Sequence, residues 1–204
     1  PNPKRAKKLY SEVVPKTVDD YLDLIKKFQD QKTKDQILNP VWHVHNGKPP
    51  KEKFVMPFSM LLNLVGSSNA DSKDILWKFI NRFHKEIKPK DHKILDDFQN
   101  YAINYFKDKV EPNKKFKKPD SNEKKALEKL VKKLREIDNS LSPEDIQTHV
   151  YTVGKENGYE KNLRDWFKLI YEVVFGEING PRIGFFISFF GLKETIQLIN
   201  DKIK

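Results

Sequence analysis

Apolar residues recur at intervals of three and four along most of this 204-residue chain, and no other feature constrains the fold as strongly. In VDDYLDLIKKF the spacing sets Val18, Tyr21, Leu22, Ile25 and Phe28 on one face, with Asp19 and Asp20 in the first turn, where acids suit the helix dipole. The same rhythm carries Ile75, Leu76, Phe79, Ile80 and Phe83, and later Leu127, Leu130, Val131, Leu134 and Ile137. No strand-helix alternation and no internal repeat interrupts it. The class predicted is all-α, a bundle of amphipathic helices. Only 37% of residues are hydrophobic, but 14 are Phe, so a core built from large rings that each bury much apolar area is available.

Local signals divide the helices. NPVWHVHNGKPPKEKFVMP, from Asn39 to Pro57, holds four prolines and a glycine and predicts a long ordered loop. FSMLLNLVG predicts a short apolar helix ending at Gly66. Asp71 or Ser72 caps the next helix, and Pro89 opens another with Ile94, Leu95, Phe98, Tyr101, Ala102 and Tyr105 on one face. KVEPNKKFKKPDSNE, Lys109 to Glu123, is charged and holds two prolines, so it marks a division into residues 1–112 and 113–204. Beyond it, Asp120 or Ser121 opens a lysine-rich helix. SPED at Ser142 supplies a serine cap with proline at the first helical position. That helix carries His149 on its apolar face, where a satisfied core histidine is expected. LRDWFKLIYEVVFG closes at Gly176, and two short helices split at Gly191 follow.

Several chemistries find no residues to carry them. The chain lacks cysteine, so disulfides and thiolate metal sites are excluded. No phosphate loop, dinucleotide fingerprint or nucleophile elbow occurs. His43 and His45 stand two apart, but no further ligands are placed by spacing, so no metal site is expected and packing or hydrogen bonding is the reading for both. No nucleophile, base and orienting group assemble, so no catalytic residues are assigned. No apolar run approaches the roughly 20 residues that span a bilayer, and a soluble cytoplasmic protein is expected. The chain opens on Pro1 rather than Met, which reads as a piece of something longer.

The net charge of +10 favours a polyanionic partner. Lys4, Arg5, Lys7 and Lys8 lead the chain, and Lys114, Lys115, Lys117 and Lys118 flank Phe116. The second cluster is a candidate for tracking an RNA backbone by charge. The lysines of residues 124–135 alternate with Glu123, Glu128 and Glu136 and fit a solvated helix face equally well.

GPRIGFFISFFGLKETIQLI, from Gly180, joins a stiff turn bearing Arg182 to one of the most apolar runs in the protein. Ile183 to Phe190 predicts core, packed on the helix from Arg164 to Phe175. Gly180 to Arg182 is then the tip that this core holds still.

Successive blocks, namely KRAKKLYSEVVPKTVDDY, NPVWHVHNGKPP, PFSMLLNLVGSSNADSKDILWKFI, LDDFQNYAINYFKD and LRDWFKLIYEVVFGEINGPRIGFFISFFGLKETIQLI, resemble the class I lysyl-tRNA synthetases in that family's order. The resemblance runs over essentially all 204 residues but covers only the C-terminal half of such an enzyme. It implies an all-helical portion, of the α-helix-cage type, that holds lysine tRNA and reads its anticodon. Residues 1–112 would then contact or link to the tRNA stem, and residues 113–204 would bind the anticodon. The HIGH and KMSKS signatures are absent, and HNGK at His45 does not replace the former, so ATP and lysine would be handled by a domain upstream and no cofactor is expected here. The implied molecule is a monomer that binds neither DNA nor membrane. By motif match, the turn Asn179, Gly180, Pro181 and Arg182 would lie at the anticodon. Arg164 either joins it or sets the start of its helix through a salt bridge, while Trp166 is expected in the core. The alternative is a helical adaptor whose Phe-rich stretch is an exposed docking surface. A glutamate-specific relative fits the blocks less well.

Overall fold

The computed structural model describes residues 10–52, 56–138 and 140–204, without the Phe83 side chain. Lys4, Arg5, Lys7 and Lys8 therefore lie outside the described residues. The described part holds eleven α-helices and no strand. They are α1 (Val14–Asp30), α2 (Thr33–Gln36), α3 (Pro40–Val44), α4 (Phe58–Ser68), α5 (Lys73–Phe83), α6 (Lys93–Tyr105), α7 (Ser121–Glu136), α8 (Pro143–Gly154), α9 (Leu163–Ile170), α10 (Ile183–Phe190) and α11 (Leu192–Ile203). Widened π-type turns prolong α6, α8 and α9.

The organising element is α4. Its residues from Met60 to Val65 are buried all round, as befits a helix surrounded by others. Its own cap position is Pro57, which offers no side-chain acceptor. Asp19 of α1 supplies one instead, accepting from the Phe58 and Ser59 amides. An acid at a helix N-terminus satisfies orphan donors and suits the dipole, so this bond also fixes α1 across α4.

One hydrophobic core runs from Met56 to Ile203, taking in α4, α5, α6, α7, α8, α9, α10 and α11. A small satellite of Leu22, Ile25 and Val41 joins α1 to α3. The segment between residues 113 and 121 has no helix, yet the core passes beside it unbroken, because α4 and α5 pack directly on α10.

Several boundaries differ from those expected. Residues 40–44 are a helical turn rather than loop: the Asn39 side chain accepts from Val41 N at 3.0 Å, and Pro40 takes the first helical position, where its missing N–H costs nothing. Gly66 does not end α4. The helix continues to Ser68 and stops at Asn69, which is left-handed at φ 48°. A Cβ on Gly66 would stand 2.7 Å from the Phe106 ring, so this glycine is there for close approach of another helix. Ser72 holds the cap position of α5, but its side chain makes no capping bond. Pro89 opens only a 3₁₀ turn, Pro89–Asp91, and α6 proper begins at Lys93. Tyr101, expected on the inner face of α6, is exposed, and Gln99 and Ile103 are buried there. His149 is half-buried rather than core.

Other expectations hold. Asp120 and Glu123 form a reciprocal capping box at α7, and Ser142 Oγ accepts from Asp145 N at 3.1 Å at α8. Gly176 ends the α9 segment at φ 70°, and Gly191, at φ 104°, separates α10 from α11. No helix among the described residues is long and apolar enough to cross a membrane.

Candidate nucleic-acid interface

The stretch after α9 divides at Ile183. Ile183, Phe186, Ile187 and Phe190 are buried, with Phe186 fully so. The Phe186 ring meets Phe175 edge-on at 4.8 Å and stacks on Phe190 at 5.1 Å. Phe185, Ser188 and Phe189 are half-buried and line a groove of about 1290 Å³ that Pro181 and Arg182 border at one end. Asn179, Gly180 and Arg182 are exposed, and so is Ile178, at 64%. The sequence reading passed over Ile178 because a lone apolar residue before a turn carries no periodic signal.

The turn is held from beneath. Tyr171 OH donates to the Pro181 carbonyl at 2.5 Å, and the Tyr171 ring lies so close under Gly180 that a Cβ there would stand 2.6 Å from it. Burial pushes the Tyr171 phenol up to about 12, with Tyr151 adding to the effect, so the hydroxyl stays a donor at neutral pH. On the other side, Gly184 N donates to Gln147 Oε1 of α8 at 2.8 Å. Gly184 itself leaves no room for a side chain: a Cβ would lie 2.3 Å from the Pro143 carbonyl oxygen. The sequence reading missed Tyr171 and Gln147 as partners of the turn. Both fall within stretches that read as ordinary helix in the sequence, and nothing in their spacing announces a contact ten or thirty-seven residues away.

Arg164 is exposed in the first turn of α9, and no ion pair to it occurs among the described residues. Asp165 beside it accepts instead from Asn162 Nδ2 at 2.8 Å. A cation at a helix N-terminus opposes the dipole, so helix stability does not account for Arg164. It precedes Tyr171 by seven residues, roughly 10 Å along the helix, which sets it apart from the turn. Trp166 is fully buried, its Nε1–H donating to Val150 O at 2.9 Å, and it offers no stacking face to a ligand.

The four lysines around Phe116 have different fates. The segment is extended and tied to the end of α9's continuation by two backbone bonds, Lys115 N to Gly176 O and Lys117 N to Glu172 O, both 3.0 Å. Lys114 turns inward. Its amine lies 4.7 Å from the Phe106 ring centre and 3.9 Å from Glu177 Oε1, beneath a side chain that is 11% exposed. Burial pushes the Lys114 ammonium down, with Glu177 opposing, and pushes the Glu177 carboxyl up, with Lys114 opposing. Lys117 is engaged at 2.5 Å by Glu123, whose hydrogen bond holds its amine above the ordinary lysine range. Lys115 and Lys118 are exposed, with no ion pair among the described residues. Lys202 Nζ sits 3.5 Å over the half-exposed Phe116 ring.

Elsewhere, His45 shares a 2.7 Å hydrogen bond with Tyr21 OH, and His43 is exposed. No group of three or more possible metal ligands occurs among the described residues.

No family model matches the chain. Individual proteins do. It is 40% identical over 198 residues to a lysine–tRNA ligase of Roseobacter denitrificans, covering 97% of this chain and 37% of that protein. It is 38% identical over 205 residues to a lysine–tRNA ligase of Rickettsia bellii, covering 99% of this chain and 39% of that protein. A lysine–tRNA ligase of Rickettsia felis is 37% identical over 204 residues. The chain thus spans under two fifths of the length of the curated relatives it matches.

Proposed function

Starting from a chain homologous to lysine–tRNA ligases along nearly all of its length, we propose that it is the tRNA-holding, C-terminal portion of such an enzyme. In the intact protein, ATP-dependent attachment of lysine would fall to a part that this chain does not cover. The observation that carries the reading is the exposed turn Asn179–Arg182, immobilised by a buried aromatic core on one side and by Tyr171 below. Anticodon bases are single-stranded, can be splayed out, and are read on their edges or by stacking. Arg182 offers a planar face and a fork of donors, and Asn179 offers a donor and an acceptor. A U-rich lysine anticodon presents carbonyl acceptors and an N–H that match this set. A rigid turn loses less ordering entropy on binding than a loose one. Lys115 and Lys118 would add backbone attraction without reading sequence. In this reading residues 1–112 face the tRNA stem and residues 113–204 the anticodon.

The adaptor reading has less to stand on, because most of the Phe-rich stretch lies in the core. The test is binding of the full chain to a lysine anticodon stem-loop and to the same RNA with a changed anticodon, at moderate salt. Preference for the lysine anticodon, weakened by Arg182→Ala without loss of fold, is the expected result. Equal affinities that are insensitive to Arg182→Ala refute the anticodon reading.

A further inference from the structure

The turn has a peculiarity in its bonding. Among the described residues no backbone–backbone hydrogen bond involves residues 178–181; the nearest are Glu177 N to Tyr171 O before it and Phe186 N to Arg182 O after it. Proline fixes one φ angle, but Gly180 is free to take many backbone conformations. A stretch without its own backbone bonds takes its shape from whatever side chains grip it. Among the described residues two do so, from different helices: Tyr171 donates to the Pro181 carbonyl inside the stretch, and Gln147 accepts from the Gly184 amide in the first turn of α10, which anchors its far end. The two contacts, at Pro181 and Gly184, lie on either side of Arg182 in sequence.

We infer that Tyr171 and Gln147 are positioning residues that fix the shape of the turn and thereby set how sharply the RNA anticodon is discriminated. This rests on the anticodon reading proposed above. Neither side chain needs to touch RNA. Tyr171 is buried and Gln147 is half-buried against α10, so the Tyr171 hydroxyl is spent on the turn and the Gln147 carbonyl on the helix start that follows it. Without them the turn samples several shapes, and each binding event must order it again. The cost falls hardest on the anticodon that needs one geometry, while charge attraction to the backbone is indifferent to it. The Tyr171 hydroxyl is the part of the side chain that bonds the turn, and the ring fills core. Tyr171→Phe therefore separates the two roles. Gln147→Leu removes the acceptor, and Gln147→Glu keeps one.

The experiment uses the full chain and two stem-loop RNAs, one with the lysine anticodon and one with it changed, and reads the ratio of their dissociation constants. Amide hydrogen exchange at Gly184 and Phe186, which donate to Gln147 Oε1 and the Arg182 carbonyl, is measured alongside. Loss of one such hydrogen bond corresponds to about two- to tenfold. Tyr171→Phe and Gln147→Leu are expected to lower the ratio by that factor and to speed exchange at both amides, with Gln147→Glu restoring the ratio. A wild-type ratio above one that stays unchanged in both variants overturns the inference and leaves the anticodon reading standing, even if the variants unfold at lower urea. A wild-type ratio of one overturns the reading and the inference together.

Discussion

Gly184→Ala tests the junction between the turn and the core. In an isolated helix, alanine is favoured over glycine by about 1 kcal/mol, so the substitution would stabilise α10 if space allowed. It does not. The new Cβ would stand 2.3 Å from the Pro143 carbonyl oxygen and 2.6 Å from Gln147 N, where ordinary contact begins near 3.4 Å. Both atoms belong to the backbone of α8, so no side-chain rotation relieves the clash, and α10 must withdraw by about 1 Å. Overpacking of this kind costs about 1–3 kcal/mol, and backbone partners place it at the upper end. Subtracting the propensity gain leaves a net loss of about 2 kcal/mol. With a urea slope of about 3 kcal/mol/M, the unfolding midpoint should fall by roughly 0.7 M at unchanged slope. A midpoint that stays put or rises would refute the reasoning, because it would mean that α8 and α10 do not approach at Gly184 as closely as described.

Phe186→Ala removes a fully buried ring with two aromatic neighbours and should cost about 3–5 kcal/mol in urea unfolding; a loss under about 1.5 kcal/mol would mean that the site is not packed as described. Lys115→Ala with Lys118→Ala should weaken RNA binding equally for all anticodons and lower the slope of log affinity against log salt by about 0.7–0.9 per charge. Lys114→Met, which removes an inward amine, should leave that slope unchanged, and a matching fall would show that Lys114 reaches the RNA after all. The buried Tyr171 phenol is raised, so its share of stability is complete below about pH 10 and is lost as pH rises through about 12. Tyr171→Phe should flatten this alkaline decline in the urea midpoint, and an identical decline in the variant would sink the assignment.

Helix content, the caps at Asp120 and Ser142, and the stops at Gly176 and Gly191 were all legible, because each is written within one turn of chain. Gly66 misled because a glycine that ends a helix and one that admits a neighbouring Phe106 look alike until the neighbour is known. The Asn39–Val44 turn was hidden by the four prolines of residues 39–57, one of which, Pro40, occupies the single helical position where it is welcome. Within the candidate site, the exposed turn and the buried phenylalanines could be read from the sequence, since polarity changes abruptly at Ile183. The supports from Tyr171 and Gln147 could not. They are tertiary contacts made by residues whose local pattern already had an explanation. The lysine cluster shows the same limit: four similar residues differ in which way the extended segment turns them, and in whether an acid, Glu177 far along the chain or Glu123 six residues on, meets the amine.

The core that passes unbroken from α4 and α5 to α10 bears on how the chain can be recombined. A chimera that exchanged residues 113–204 with a relative would graft one half of an interface onto the wrong partner. Phe79 stacks on Phe190 at 5.3 Å, and Arg82 reaches Glu194 at 2.6 Å, so each graft would carry mismatches at both points unless the relative shared them. The lysine-rich connection looks like a natural place to cut, yet the helices on its two sides share one hydrophobic core. Transferring RNA preference between relatives should therefore succeed by moving the turn with its two supports, and fail by moving the half that contains it.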